Sequence, residues 1–197
     1  MLIEKEYESQ SMLSEEVFLN IASDMFLKDP HHHTIIQVNQ YMDTDDFTIM
    51  NGGKAVLRIR KARGKPTVLT LKVKDDDGKG ITEYHQVISY FQHIALIKHS
   101  RFPKGKIKNM LIEMGYPLTS IKYQGEFKTK RYQIDRENYN FCVDSNDYNG
   151  IRDYNIEVEA RNLEEARNIL EELAKKYQFE ITKNYIVKSQ RFIKSKH

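Results

Sequence analysis

Leu57-Arg58-Ile59-Arg60, followed by Leu71-Lys72-Val73-Lys74, is the stretch that decides the fold. Side chains two apart in an extended strand share a face. The four bases therefore lie on one side, and Leu57, Ile59, Leu71 and Val73 on the other. The same alternation recurs in strand after strand. Glu4, Glu6 and Glu8 point together, as do Glu83 with His85 and Glu157 with Glu159, the last pair opposite Tyr154, Ile156 and Val158. One such pair would be the solvated face of an ordinary half-exposed sheet. A whole series, sorted by strand into acidic and basic sets, is different, because like charges side by side repel. If amphipathic helices cover the apolar side, the charged side lines something else, and in a closed barrel that is the lumen. An interior lined by both signs suits a polyanion on the bases and a divalent cation on the carboxylates.

Working outward, strands fit Leu2 to Glu8, Thr34 to Thr44, Lys54 to Arg63, Thr67 to Asp75 and Gly80 to Ser89. Turn signals stand at Asn51-Gly52-Gly53, Gly64-Lys65-Pro66 and Asp77-Gly78. Three more strands fit Ile121 to Ile134, Asn140 to Asp144 and Tyr154 to Ala160. Between the first two strands a helix opens at Ser14, with Glu15 and Glu16 in its first turn and Val17, Phe18, Ile21, Met25 and Phe26 as its apolar face. Helices are also predicted from Tyr90 to Lys98 and from Lys104 to Met114, the latter ended by Gly115 and Pro117. Asn162 caps a last long helix with Leu163, Ala166, Ile169, Leu170 and Leu173 on one stripe, and a basic tail follows. Eight mostly antiparallel strands with a few helices predict an α+β fold, a barrel or strongly curved sheet whose edges are closed or covered.

Composition narrows the function. A chain of 197 residues with 40% hydrophobic content suits one domain, or at most two small ones, with a real core. Apolar runs such as Ile94 to Ile97 are far too short to span a bilayer, and no basic region followed by an apolar stretch opens the chain, so a soluble, cytoplasmic protein is expected. The net charge of +3 conceals 31 basic and 28 acidic residues. The bases alternate with carboxylates instead of forming a continuous positive track, which argues against a nucleic-acid partner. Cys142, the single cysteine, excludes an internal disulfide framework and is expected to be a packed core thiol. His31, His32 and His33 follow Pro30 and are expected in a solvated loop. Tyr41 is open between substrate contact and packing.

In order along nearly the whole chain, the motifs resemble the CYTH, or triphosphate tunnel, family. They are Glu4-Lys5-Glu6-Tyr7-Glu8, Gln37-Val38-Asn39-Gln40-Tyr41-Met42-Asp43-Thr44, Leu57-Arg58-Ile59-Arg60, Leu71-Lys72-Val73-Lys74, Thr82-Glu83, Lys128-Thr129-Lys130-Arg131, Val143-Asp144, Ile156-Glu157-Val158-Glu159 and Lys188-Ser189. The resemblance implies a single domain over residues 1–197, an eight-stranded closed tunnel barrel with helices packed outside. It also implies divalent-metal-dependent hydrolysis of a triphosphate, such as inorganic tripolyphosphate or an organic triphosphate. By the same resemblance Glu4, Glu6, Asp144, Glu157 and Glu159 bind Mg²⁺ or Mn²⁺. Arg58, Arg60, Lys72, Lys74, Arg131 and Lys188 hold the phosphate chain. Glu83, Lys72 and Arg131 take part in catalysis, with Glu83 orienting a base or a metal-bound water. The family also contains adenylate cyclases, which would release pyrophosphate and cyclic AMP, and a tunnel that binds polyphosphate or nucleotides without turnover is the third possibility. One departure stands out: the lysine that closes the family's opening Glu-x-Glu-x-Lys falls on Glu8, so an anion replaces a cation.

Overall fold

The structure, a computed structural model, describes residues 2–52, 54–75 and 80–196. Gly53 and the expected Asp77-Gly78 turn lie outside the described residues. Eight strands close into a barrel in the order β1-β5-β4-β3-β2-β6-β7-β8. They are β1 (Leu2–Leu13), β2 (His32–Asp43), β3 (Ala55–Ala62), β4 (Val68–Lys74), β5 (Ile81–Val87), β6 (Lys122–Asp135), β7 (Tyr139–Tyr148) and β8 (Ile151–Ala160). The helices are α1 (Glu15–Lys28), α2 (Thr48–Asn51), α3 (Tyr90–His99), α4 (Lys106–Glu113), α5 (Leu163–Tyr177) and α6 (Lys188–Lys194). The expected α+β barrel with outer helices is the fold observed. By contact the chain divides into two compact units. One comprises Met1–Lys5, Val38–Phe127 and Lys188–His197, the other Glu6–Gln37 and Lys128–Val187.

In the first unit β3, β4 and β5 pair antiparallel, with Leu57 opposite Leu71 and Lys72 opposite Glu83. Leu57, Ile59, Leu69 and Leu71 are buried against Leu96 of α3 and Ile107 and Leu111 of α4. Each such aliphatic side chain contributes about 1.5–3 kcal/mol by leaving water, which fixes the face that the helices cover. Ser89, expected as the end of a strand, instead caps α3. Its hydroxyl accepts from the Gln92 amide at 3.2 Å, and the Gln92 side chain accepts from the Ser89 amide at 2.9 Å. The short α2 was not expected. Its amides at Ile49 and Met50 donate to the buried Asp43 carboxylate at 3.0 and 2.9 Å, satisfying donors at a helix start.

In the second unit β6, β7 and β8 pair antiparallel and β8 pairs in turn with β1. Val143, Ile156 and Val158 are buried against Phe18, Ile21, Ala22 and Met25 of α1 and Ala166 and Leu170 of α5. Phe26, expected on that apolar face, is 60% exposed, because the stripe continues through Ala22 and Met25 and leaves the next position turned outward, its ring against His32. β1 runs five residues beyond the expected Glu8, since Ser9 to Leu13 pair with β8. β7 and β8 likewise meet in a two-residue turn at Asn149-Gly150, both at positive φ (46° and 80°), the geometry of a type I′ hairpin. His32 and His33 open β2 instead of lying in a loop. The basic tail contains a helix, α6, with Phe192 and Ile193 buried.

Asp24 ties α1 to α5. It accepts from the Tyr177 hydroxyl at 2.7 Å and pairs with Lys28 and with Lys176 at 3.3 Å. The Lys28 contact first, then the Tyr177 hydrogen bond, lowers its pKa from 3.8 to about 2. A depressed carboxylate stabilises the fold above its unfolded pKa, and that stability is lost as pH falls from about 4 through about 2. Because both lysines are well exposed, solvent screening reduces the effect to about 1 kcal/mol. Asp24→Asn is thus expected to lower unfolding free energy by that amount at pH 7, with the difference from the parent vanishing near pH 2 in denaturant titrations.

Candidate functional site

Strand parity carries the charged side chains to the face opposite the helices in each unit, and there they form two clusters. The cluster on β3, β4 and β5 is centred on Glu83, which is 1% exposed. Its carboxylate accepts from the Arg58 guanidinium at 3.1 Å, is paired with Lys72, and lies 3.4 Å from His85 Nε2. A buried carboxylate needs such partners to remain charged. Glu4, expected as a metal ligand, meets His85 Nε2 at 3.1 Å, while His85 Nδ1 is 3.0 Å from the Thr70 hydroxyl. Arg60 donates through Nε to Asn39 Oδ1 at 3.0 Å.

Tyr41 stands among these bases and packs on Phe192 and Phe127, with ring centroids 4.9 and 6.3 Å away. Burial raises the pKa of its hydroxyl, against the opposing fields of Arg58, Lys188, Lys72 and Arg60. The charges of four residues expected to hold phosphate thus act on this one buried hydroxyl. Lys74 is exposed at the end of β4. Among the described residues, the Nε–H of Arg58 in this cluster is buried without a hydrogen-bond partner.

The second cluster lies on β6, β7 and β8. Arg131 Nε donates to Asp144 Oδ1 and its terminal nitrogen to Asp144 Oδ2, both at 2.8 Å, and the same nitrogen also donates to Glu157 Oε2. Burial alone works against the guanidinium charge, but Asp144, Cys142 and Glu157 outweigh it and hold Arg131 protonated well above its ordinary pKa. A chain of hydrogen bonds then positions Glu157. The Thr129 hydroxyl donates to Asn146 at 2.9 Å, the Asn146 amide to Asn155 at 2.8 Å, and the Asn155 amide to Glu157 Oε1 at 3.3 Å. Asp144, Asn146 and Asn155 are fully buried.

Of the expected metal ligands, Asp144 and Glu157 come together, and Cys142 comes with them: one donor atom from each lies within 4.8 Å of the others. The two carboxylates suit a hard divalent cation such as the one that the resemblance implies, and the thiol beside them is a softer donor. Glu159 accepts from Asn140 at 3.2 Å and stands directly opposite Glu8 in the β1–β8 register. Glu157 stands opposite Gln10, and Glu6 precedes the residues of β1 that pair with β8. Glu8 thus places an anion beside Glu159. Cys142 is buried as expected, yet it faces the carboxylates and not the apolar core. Sequence reading missed it, although its position two residues before Asp144 carried the signal.

Among the described residues no helix is long and apolar enough to cross a membrane. Residues 4–189 match the CYTH domain family. The chain is 35% identical over 189 residues, 94% of each protein, to YjbK of Bacillus subtilis (strain 168), provisionally named a triphosphatase. A solved structure from Bacillus halodurans, provisionally named an adenylate cyclase, superposes with a TM-score of 0.86 at 29% identity, covering 98% of this chain and 99% of that one. HpAC1 from Hippeastrum, a provisionally named adenylyl cyclase described as having a dominant triphosphatase activity, superposes at 0.78 with 21% identity over 97% and 95% of the two chains, a likeness of fold. With its ordered motifs, its barrel and a match over nearly its whole length, the chain belongs to the CYTH domain family.

Proposed function

We propose that this protein hydrolyses a triphosphate, with inorganic tripolyphosphate the simplest substrate, and that it requires Mg²⁺ or Mn²⁺. The observation that carries the reading is the buried, unpartnered Arg58 Nε–H within a cluster of cations. Leaving such a donor unsatisfied costs about 1–3 kcal/mol, and a phosphate oxygen is the acceptor that matches a guanidinium best. The relationship to YjbK supports the same substrate class.

In this reading Arg58, Arg60, Lys72 and Lys188 bind the phosphate chain, with Lys74 at the outer end of its strand. Glu83 holds Arg58 and Lys72 in place through the pairs it makes with them, so the bases are oriented before substrate arrives. Asp144 and Glu157 hold the cation, with Glu159, Glu6 and Glu4 as further carboxylates of the family motifs. A divalent cation supplies neutralisation of phosphate oxygens and an acidified water. Arg131 balances the charge of Asp144 and Glu157, and being always protonated it acts by its field and not by proton transfer. Water adds to the terminal phosphorus, the bond to the bridging oxygen breaks, and inorganic phosphate and diphosphate leave. This requires alignment and charge neutralisation more than a covalent residue.

The test is a panel of tripolyphosphate, nucleoside triphosphates and thiamine triphosphate, each with Mg²⁺ or Mn²⁺, assayed for phosphate, pyrophosphate and cyclic nucleotide. Phosphate release that stops on chelation and returns with added cation is expected. Cyclic nucleotide with stoichiometric pyrophosphate would identify a cyclase instead, and binding without product a sensor.

Arg58→Ala removes an anion contact, so it is expected to raise KM for tripolyphosphate about tenfold or more with a smaller change in kcat. An unchanged KM in steady-state kinetics would remove Arg58 from the phosphate site.

A further inference from the structure

The assigned chemistry leaves one nucleophilic group of the second cluster unused, the thiol of Cys142. Its Sγ lies 3.8 Å from Glu157 Oε2, and it belongs to the same set of donors within 4.8 Å as Asp144. The β7–β8 register explains why. Cys142 stands directly opposite Glu157, and Asp144 directly opposite Asn155, so period-two alternation turns both side chains of β7 toward the carboxylate of β8.

We propose that Cys142 is a ligand of the metal centre, and that it gives this centre a preference for thiophilic divalent cations such as Zn²⁺ or Cd²⁺ over Mg²⁺. The proposal rests on the reading that Asp144 and Glu157 hold a divalent cation. The geometry agrees with it. Cys142 Sγ and Glu157 Oε2, 3.8 Å apart, are near enough for one cation to bond both. On binding, the thiol S–H bond breaks, its proton leaves to solvent and the sulfur lone pair bonds the cation. Thiolate is a poor ligand for Mg²⁺, which prefers oxygen, and a strong one for softer cations. Arg131 already shows that this position attracts positive charge, since its guanidinium pairs with both carboxylates.

A sequence with a single cysteine makes the test self-assigning. Cd²⁺ alone is titrated into the full chain while the near-ultraviolet thiolate-to-cadmium charge-transfer band is recorded, with calorimetry in parallel and Mg²⁺ as the reference cation. We expect a band that saturates with calorimetric binding. Cys142→Ser is expected to abolish the band and to weaken Cd²⁺ binding about tenfold relative to Mg²⁺, the scale of losing one supporting group at a metal site. Glu157→Gln is expected to weaken the band's apparent affinity in step with calorimetry. If Cys142→Ser fails to fold, protection of the parent's thiol from alkylation by Cd²⁺ replaces it, and the proposal requires that protection.

Cd²⁺ binding that Glu157→Gln weakens but that produces no band would overturn the thiolate ligand and leave the carboxylate centre standing. A band of undiminished affinity in Glu157→Gln would place the thiol outside that centre and equally overturn the proposal. Absence of binding by Cd²⁺, Mg²⁺ and Mn²⁺ alike would instead remove the metal centre itself, and the thiol's role with it.

Discussion

A charge carried on the inner face of a strand cannot be left alone, and this one electrostatic requirement organises the rest of the molecule. Moving an ionised group away from water costs several kcal/mol unless an opposite charge or hydrogen bonds answer it. Glu83 answers Arg58 and Lys72, and Arg131 answers Asp144 and Glu157. The hydrophobic effect supplies the complementary half. Leu57, Ile59, Leu71, Val143, Ile156 and Val158 occupy the alternate positions of the same strands and bind the helices. Strand geometry couples the two, because a slip by one residue would exchange the faces.

The pairings also suit a site that exchanges partners. Glu83 keeps the cations of its cluster apart from one another's repulsion while leaving Arg58 Nε unsatisfied. Arg131 pairs with the carboxylates of Asp144 and Glu157 and holds them side by side. Asn155, held by Asn146 and through it by Thr129, fixes the Glu157 carboxylate from the side away from the thiol contact. Such supporting hydrogen bonds set the orientation of metal ligands and tune their affinity.

Much of this was legible in the residues, since alternation is a local signal. The helix and sheet faces, the Ser14 and Asn162 caps, and the hairpin at Gly64 follow from it. What escaped was signal diluted by polar residues. The expected first strand stops at Glu8 although Ser9 to Leu13 pair with β8, and Asn146, Asp147, Arg152 and Asp153 hid the Asn149-Gly150 turn. The tail helix carries only two buried apolar anchors, Phe192 and Ile193, between bases. The candidate site was legible as charged strands, whereas its partners were not. That Glu4 meets His85, that Asp144 and Glu157 share Arg131, and that Cys142 faces them depend on register between strands distant in sequence.

The most direct test of the account is a crystal structure of the protein with Mn²⁺ and tripolyphosphate, with the cation located by its anomalous scattering. The account predicts a peak about 2.0–2.3 Å from carboxylate oxygens of Asp144 and Glu157, with phosphate oxygens on Arg58. A peak elsewhere, or a triphosphate bound with Arg131 still holding both carboxylates and no cation on them, would contradict it.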